Sequence, residues 1–436
     1  MRSRSPAAVA ATCLVLLATA CGSSGGGLGN GRLAGTRITF SISVSAEEKP
    51  AIQALLSQFE HETKARVSLE LLGRFRSPVG ARVDLTTSIS STELVERLRL
   101  DERGGQPGIQ LFAQDNLALK TLVDEGLVQD LSDVAVPAAV SASMLPPKFG
   151  GRQYFLPFRP NVRLTYLDRV RLERAGVRPP TTVAEFKAAA ERLKAAAGRP
   201  AVTLSLAAGD PAAVTISEWI VSFGGDPLLL NDRGSQQAFA FLQSLWKEGV
   251  LARESLFGKY DTEVDNLESG TAWVAQNWPI TSAALAKQGM LPRFSVYAGW
   301  KGPVRSVHVV GGDVLGIPNG ITGRQKKAAL ALAEFLMSKK SQEYLVTHNA
   351  WPSIRDDAYS DVPKEQGETF SAIRTALKDG WFRPSVSYWP DVSLAMSEAV
   401  NRILLQYQPV QAVLDELHAR VGAAARAKGA VYPPSR

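Results

Sequence analysis

The apolar positions along the chain switch repeatedly between two periods. In ITFSISV, residues 38–44, Ile38, Phe40, Ile42 and Val44 share one face, which is the period of a strand. EEKPAIQALLSQFEHETK follows, with Ile52, Leu55, Leu56 and Phe59 at i, i+3, i+4 and i+7. That spacing predicts an amphipathic helix, with Pro50 in the first turn, where a missing N–H costs nothing. VSLELL predicts a second strand, STELVERLRLDER a Ser/Thr-capped helix, and IQLFA a short buried strand before a helix that stops at Gly126. A strand–helix alternation of this kind predicts a parallel sheet with helices on both faces.

The pattern restarts after a proline-rich passage, LPFRPN. YFLPF and RLTYL read as extended, TTVAEFKAAAERLKAAAG as a capped helix ending at Gly198, and AVTLSLAA as a strand. Helices are predicted around 211–223 and 235–248. TAWVAQNW, FSVYAG and VVGGDVLGIP read as strands. Beyond Lys326 the chain is mostly helical, with amphipathic stretches near 326–337, 367–378, 391–405 and 409–424. No repeat of solenoid length is present. The prediction is an α/β protein of two similar lobes, crossed more than once, with a cleft between them where ligands favour binding.

Composition narrows the function classes. The 436 residues are 45% hydrophobic and 21% charged, ordinary globular values that allow two lobes with cores of their own. The formal net charge of +7 is scattered and forms no basic run or stripe, which argues against a nucleic-acid partner. The chain lacks HExxH, CxxC, GxSxG and P-loop motifs, and its four histidines show no ligand spacing, so no metal or cofactor is expected. A pair of acidic residues in a cleft keeps a secreted glycosidase open as an alternative.

The N-terminus carries an address. Arg2 and Arg4 precede an apolar stretch at 7–20, too short for a membrane span, which ends in LATAC. Small residues before Cys21 resemble a bacterial lipobox, with Ala18 where leucine is commoner. The resemblance implies a signal peptide over 1–20, lipid on Cys21, and a flexible Gly/Ser-rich tether over 21–36. Cys13 leaves with the signal, so Cys21 becomes the sole cysteine and no intramolecular disulfide can form.

Several of the eight tryptophans stand beside proline or glycine at element ends, in NWP, AGW, AWP, DGW and YWP. An indole at such an end is a candidate platform for the C–H face of a sugar ring, with its N–H free for a hydroxyl. In GTAWVAQNWPITSAAL a strand is predicted to finish on Asn277, Trp278 and Pro279, followed by a helix of small residues. Trp246 fits an ordinary helix core position.

At this point the chain resembles the extracellular solute-binding lipoproteins of carbohydrate ABC importers, over nearly the whole mature length. EEKPAIQALLSQFEHETKARVSLELL, IQLFAQDNLALKTLVDEGLVQDLSD and GRQYFLPFRPNVRLTYLDRVRLERAGVRPPTTVAEF carry the likeness. Departures are Gln110, Leu167–Asp168 and Val183, where that family more often has aspartate, Tyr-Asn and tryptophan. AWVAQNWPITSAA, VVGGDVLGIP and RPSVSYWPDVSLAMSEAV look closest to trehalose/maltose-type binders.

The resemblance implies a two-lobed venus-flytrap fold with three crossings, near 158–162, 296–299 and 337–341. The lobes would be 37–160 with 299–340, and 161–298 with 341–430. It also implies a carbohydrate ligand, permease subunits in the membrane as partners, a monomer, and anchorage on the outer face of the cytoplasmic membrane. Site residues implied are Trp278, Asn161, Asp115, Asn116, Asp210, Gly311, Gly312, Arg383, Trp389, Trp351, Asn277 and Glu47. A binding lipoprotein for a glycerophosphodiester or a peptide is the competing reading.

Overall fold

The computed structural model describes residues 33–45, 48–72, 87–105 and 107–434. The signal segment, Cys21, most of the tether and Glu47 lie outside the described residues. Nine strands form two sheets among the described residues. The first holds β1 (Arg37–Ile42), β2 (Arg66–Leu71), β3 (Leu111–Asp115), β4 (Leu156–Val162) and β8 (His308–Gly316), in the order β2-β1-β3-β8-β4, with β9 (Gly380–Phe382) beside β8. The second is three-stranded, β6-β5-β7, from β5 (Leu164–Asp168), β6 (Val274–Asn277) and β7 (Phe294–Tyr297).

The first three strands run parallel, as expected. Each is linked to the next through a helix, and such a crossover returns the chain in the same direction. β8 departs from the expected all-parallel sheet: it is antiparallel to both β3 and β4. It arrives from the other lobe, not through a crossover helix, so that constraint does not apply. The second sheet is antiparallel throughout, which the expected second βαβ unit did not anticipate. AVTLSLAA forms no full strand; Val202 makes only isolated bridges to Leu251 and Val274.

Elsewhere local signals and structure coincide. Helix Lys49–Thr63 carries its proline at the start and buries Ile52, Leu55, Leu56 and Phe59. Helix Val183–Ala197 is capped by Thr182, whose side chain accepts from the Glu185 amide, and closes on Gly198 at φ 66°. Gly126, at φ 66°, ends the turn after helix Leu119–Asp124.

One large core joins the faces of helices Asp210–Ser222, Arg233–Lys247, Trp389–Val400 and Val410–Ala427 in the second lobe. Another lies under the first sheet, built from Phe40, Phe59, Phe158 and Leu332 among others. The chain passes between sheets at Arg163, the single residue between β4 and β5. The second passage falls later than expected: Trp300 still packs on Phe186 of the second lobe at 4.0 Å between ring centres, and the first sheet is rejoined only at β8. The third also falls later than 337–341. Helix Lys339–Asn349 packs on helices Lys49–Thr63 and Gly323–Met337, and Trp351 and Ile354 remain in the first lobe's core.

Candidate functional site

The element ends that face each other between the lobes carry charge. Asp115 closes β3 in extended geometry, and its Oδ1 accepts from the Leu117 amide at 3.0 Å. It thus caps the short turn that follows, and its second oxygen remains free for another partner. Asp210 opens helix Asp210–Ser222 in the other lobe, with Gly209 at φ 98° before it and Pro211 after it. Gly209 turns the chain through a conformation that a side chain would disfavour.

Arg383 follows β9 and joins the two. Its guanidinium lies 2.5 Å from Asp210 Oδ1 and 3.2 Å from Asp115 Oδ2, and all three residues are almost wholly buried. The Tyr260 hydroxyl donates to Asp210 Oδ2 at 2.8 Å. Asn116 donates to the Arg383 carbonyl at 2.7 Å, and the Lys120 amide donates to Ser385 Oγ at 2.9 Å. Segment 383–385 is therefore stitched to the first lobe by backbone and side chain, and to the second through Asp210.

Burial sets the electrostatics. It pushes the Asp115 carboxyl up to about 6, although Arg383 pulls the other way and Asp210 adds repulsion. Burial also works against the charge of Arg383, but Asp210 and Asp115 outweigh it and hold the guanidinium above its usual range.

A second charged group sits beside the first. Arg159 on β4 donates to Asp313 Oδ2 on β8 at 2.6 and 3.1 Å and to Glu48 Oε1 at 3.2 Å. Its guanidinium lies 4.1 Å from the centre of the Trp351 ring, whose Nε1 donates to the same Glu48 oxygen at 2.6 Å. Desolvation raises the Asp313 carboxyl, opposed by Arg159.

The expected site residues divide. Asp115, Asn116, Asp210, Gly311, Gly312 and Arg383 come together. Gly312 has φ +99°, and a Cβ there would collide with the Arg159 carbonyl. A Cβ on Gly311 would lie 3.3 Å from Trp278 Cη2 and 3.7 Å from Asp115 Oδ2, so this glycine lets the indole and the carboxylate approach the same strand. Asn161, half-buried, pairs with Gly311 across β4 and β8.

Trp278 is 8% exposed and packs with Val214 and Val309, its ring 5.6 Å from Tyr260 in an edge contact. It borders the charged bridge but is largely covered by protein. Asn277 is fully buried and closes its own strand end, donating to the Tyr260 carbonyl at 2.6 Å and accepting from the Trp278 amide at 2.9 Å.

Two indoles sit elsewhere than expected. Trp389 is a core residue of the second lobe, because it begins a helix whose apolar face packs on helix Asp210–Ser222. Trp351 belongs to the first lobe's core, where Phe158 meets it edge-on. Residues the sequence reading passed over are Arg159 and Tyr260. An arginine between prolines at a lobe crossing was the available signal for the first; nothing local marks the second.

A cavity of about 390 Å³ opens beside Arg383, with Asn116, Arg159, Gly311, Gly312 and Asp313 among its walls. Among the described residues no His/Cys/Asp/Glu group is arranged to hold a metal, and no helix is long and apolar enough to cross a membrane.

Two lobes joined by repeated crossings, with polar side chains from both converging between them, define a binding protein of the two-lobed periplasmic type. The chain belongs to the bacterial extracellular solute-binding protein family, whose model matches residues 71–371. Solved structures with the same fold include maltose-bound MalE3 of T. maritima, with a TM-score of 0.74 and 19% identity over 89% of this chain and 99% of that one. The GacH receptor of Streptomyces glaucescens, solved unliganded and with acarbose, gives 0.73 and 17% over 91% and 99%. The sugar-binding protein MalE of Xanthomonas citri gives 0.75 and 16% over 90% and 98%. No curated protein matches the chain in sequence. Membership of that family makes the chain an extracellular solute-binding protein.

Proposed function

We propose that the chain captures a carbohydrate, a di- or oligosaccharide of the trehalose/maltose glucoside type, between its lobes and delivers it to the importer's permease. The observation that carries this reading is the buried Asp115–Arg383–Asp210 set. Its members come from different lobes, and carboxylates and guanidinium groups are the partners that sugar hydroxyls accept from and donate to most strongly. A ligand bonded to both sides favours the closed arrangement of the lobes. The structures of the same fold that carry maltose or acarbose support the class of ligand. A thermal-shift screen over mono-, di- and trisaccharides, followed by calorimetry, tests it. Saturable binding of a glucoside is the expected result, and a screen in which peptides or glycerophosphodiesters bind and no sugar does would overturn it.

The same proposal places the protein on the membrane through lipid at Cys21, because LATAC followed by GSSGGGLGNG supplies both a processing site and a stand-off. Acyl chains contribute about 0.8 kcal/mol per buried CH₂, so two or three hold firmly. Cys21→Ala should move the protein into the soluble fraction of lysed cells; retention on the membrane would rule the anchor out.

A further inference from the structure

Strand β8 sets Asp313 directly opposite Asp115 on β3 and opposite Arg159 on β4. Residues directly across a ladder share a face of the sheet, and like charges so placed repel. Asp115 and Asp313 are only 3% and 6% exposed, so solvent screens that repulsion little.

The cations around them do not balance the account of charge. Asp115 and Asp210 share Arg383, and Asp313 and Glu48 share Arg159. Four carboxylates against two guanidinium groups leave these two sets with a surplus of two negative charges. The surplus is local, since the chain as a whole has a formal net charge of +7. Burial pushes the Asp115 and Asp313 carboxyls up. Asp210 and Asp313 add repulsion at Asp115, and Glu48 adds it at Asp313, against the pull of Arg383 and Arg159.

Nearly every oxygen of the four carboxylates is already engaged. Asp115 accepts from the Leu117 amide and Arg383, and Asp210 accepts from Arg383 and Tyr260. Glu48 accepts from the Ser45 amide on one oxygen and from Arg159 and Trp351 on the other. Asp313 differs. Arg159 occupies its Oδ2 twice, and among the described residues nothing donates to its Oδ1. Asp313 also borders the cavity, together with Arg159 and Arg383. A hydroxyl donating to Oδ1 would bring no charge, whereas an ammonium brings a donor and a positive charge together. An anion is disfavoured despite two arginines on the wall, because each is shared between two carboxylates.

We propose that the ligand is an amino sugar, whose ammonium group pairs with Asp313 at Oδ1. The sugar half rests on the carbohydrate reading. The ammonium half rests on the charge surplus and the open carboxylate oxygen.

Calorimetry on the parent with trehalose and maltose tests it, each compared with derivatives in which one hydroxyl after another is replaced by an amine. The N-acetyl form of each amine keeps the shape and removes the charge, and spermidine probes the cation site without a sugar. The expected result is an amine at one position that binds about tenfold or more tighter than the neutral sugar, an advantage that N-acetylation abolishes. Asp313→Asn should bring that ratio toward one; the ratio is the readout, whatever happens to the neutral sugar's own affinity. Neutral sugars binding as tightly as every amine would overturn the ammonium assignment and leave the carbohydrate reading standing, and this comparison needs no variant to fold. A full amine advantage retained in Asp313→Asn would likewise overturn the pairing with Asp313. Spermidine binding with no sugar bound would keep a cation site and defeat the amino-sugar proposal together with the carbohydrate reading. No binding of any of these probes defeats both.

Discussion

Arg383 is held between two carboxylates and would leave both without a counter-charge if it were removed. Breaking a buried ion pair from one side costs about 3–5 kcal/mol, because the remaining charge stays desolvated. Arg383→Met should lower the unfolding free energy, read from denaturant titration, by an amount of that order. Adding Asp115→Asn and Asp210→Asn should recover most of the loss, since no unpaired charge then remains. A single variant as stable as the parent would mean that the bridge does not persist in solution. Glu263 gives a pH-dependent case. Its carboxyl is buried on helix Tyr260–Ser269, accepts from the Thr203 hydroxyl, and is pushed by burial from 4.5 up to about 7. The folded protein therefore retains a proton that the unfolded chain releases above 4.5. Stability from this group is complete below that pH and is lost as pH rises through about 7, on the order of 3 kcal/mol in all. Asp115 acts with the same sign between 3.8 and about 6, so the comparison must be made between parent and variant. Glu263→Gln should flatten the fall in melting temperature over that range; parallel profiles would remove Glu263 as the titrating group. At this scale Asp115, Asp210 and Arg383 were legible because a charge at an element end has few apolar neighbours in sequence. Trp351 and Trp389 were misplaced because a Trp-Pro pair marks an element boundary and says nothing about which side of it the indole faces. The partner that buries Trp389 lies some 170 residues away in helix Asp210–Ser222.

Strand β8 organises the site at the next scale, since β3, β4 and β9 all pair with it and it carries Gly311, Gly312 and Asp313. The two glycines do different work. Gly312 sits at φ +99° in direct reach of the β4 backbone, whereas Gly311 has ordinary φ and merely leaves room for Trp278 and Asp115. Gly312→Ala should therefore cost about 2 kcal/mol or more, from left-handed strain plus collision with the Arg159 carbonyl. Gly311→Ala should cost less, because the indole can give by a few tenths of an ångström. Chemical denaturation of both variants checks the ranking, and equal losses would refute the distinction. Most elements could be read from period and caps: helices Lys49–Thr63, Val183–Ala197 and Gly367–Lys378 each have an apolar stripe and a clear end. What could not be read was strand direction and the shortest pairings. β8 is antiparallel because of the lobe it comes from, and β9 is three residues long with a half-buried centre, so neither leaves a periodic trace.

Across the whole molecule the lobes are joined by the chain at Arg163, in the approach to β8, and around β9, and they are joined a further time by charge. The chain crossings are narrow enough to act as hinges. The Asp115–Arg383–Asp210 bridge spans the space between them and pairs its opposite charges without a ligand, so it biases the unliganded protein toward closure. Its energy is reached only when all three groups are desolvated together, which requires the lobes to be near each other. Replacing the three by Asn, Met and Asn removes that bias without stranding a charge. The ligand-free triple variant should then show a larger radius of gyration by small-angle scattering than the ligand-free parent. Salt provides the control. A buried bridge is little screened, so the parent's scattering should be unchanged between 0.1 and 1 M salt, where the Debye length falls from about 10 to 3 Å. A triple variant that scatters like the parent would show that the lobes are held together by the chain crossings and their packing alone. A parent that expands with salt would show that the bridge is exposed to solvent and that the closed arrangement depends on surface charge instead.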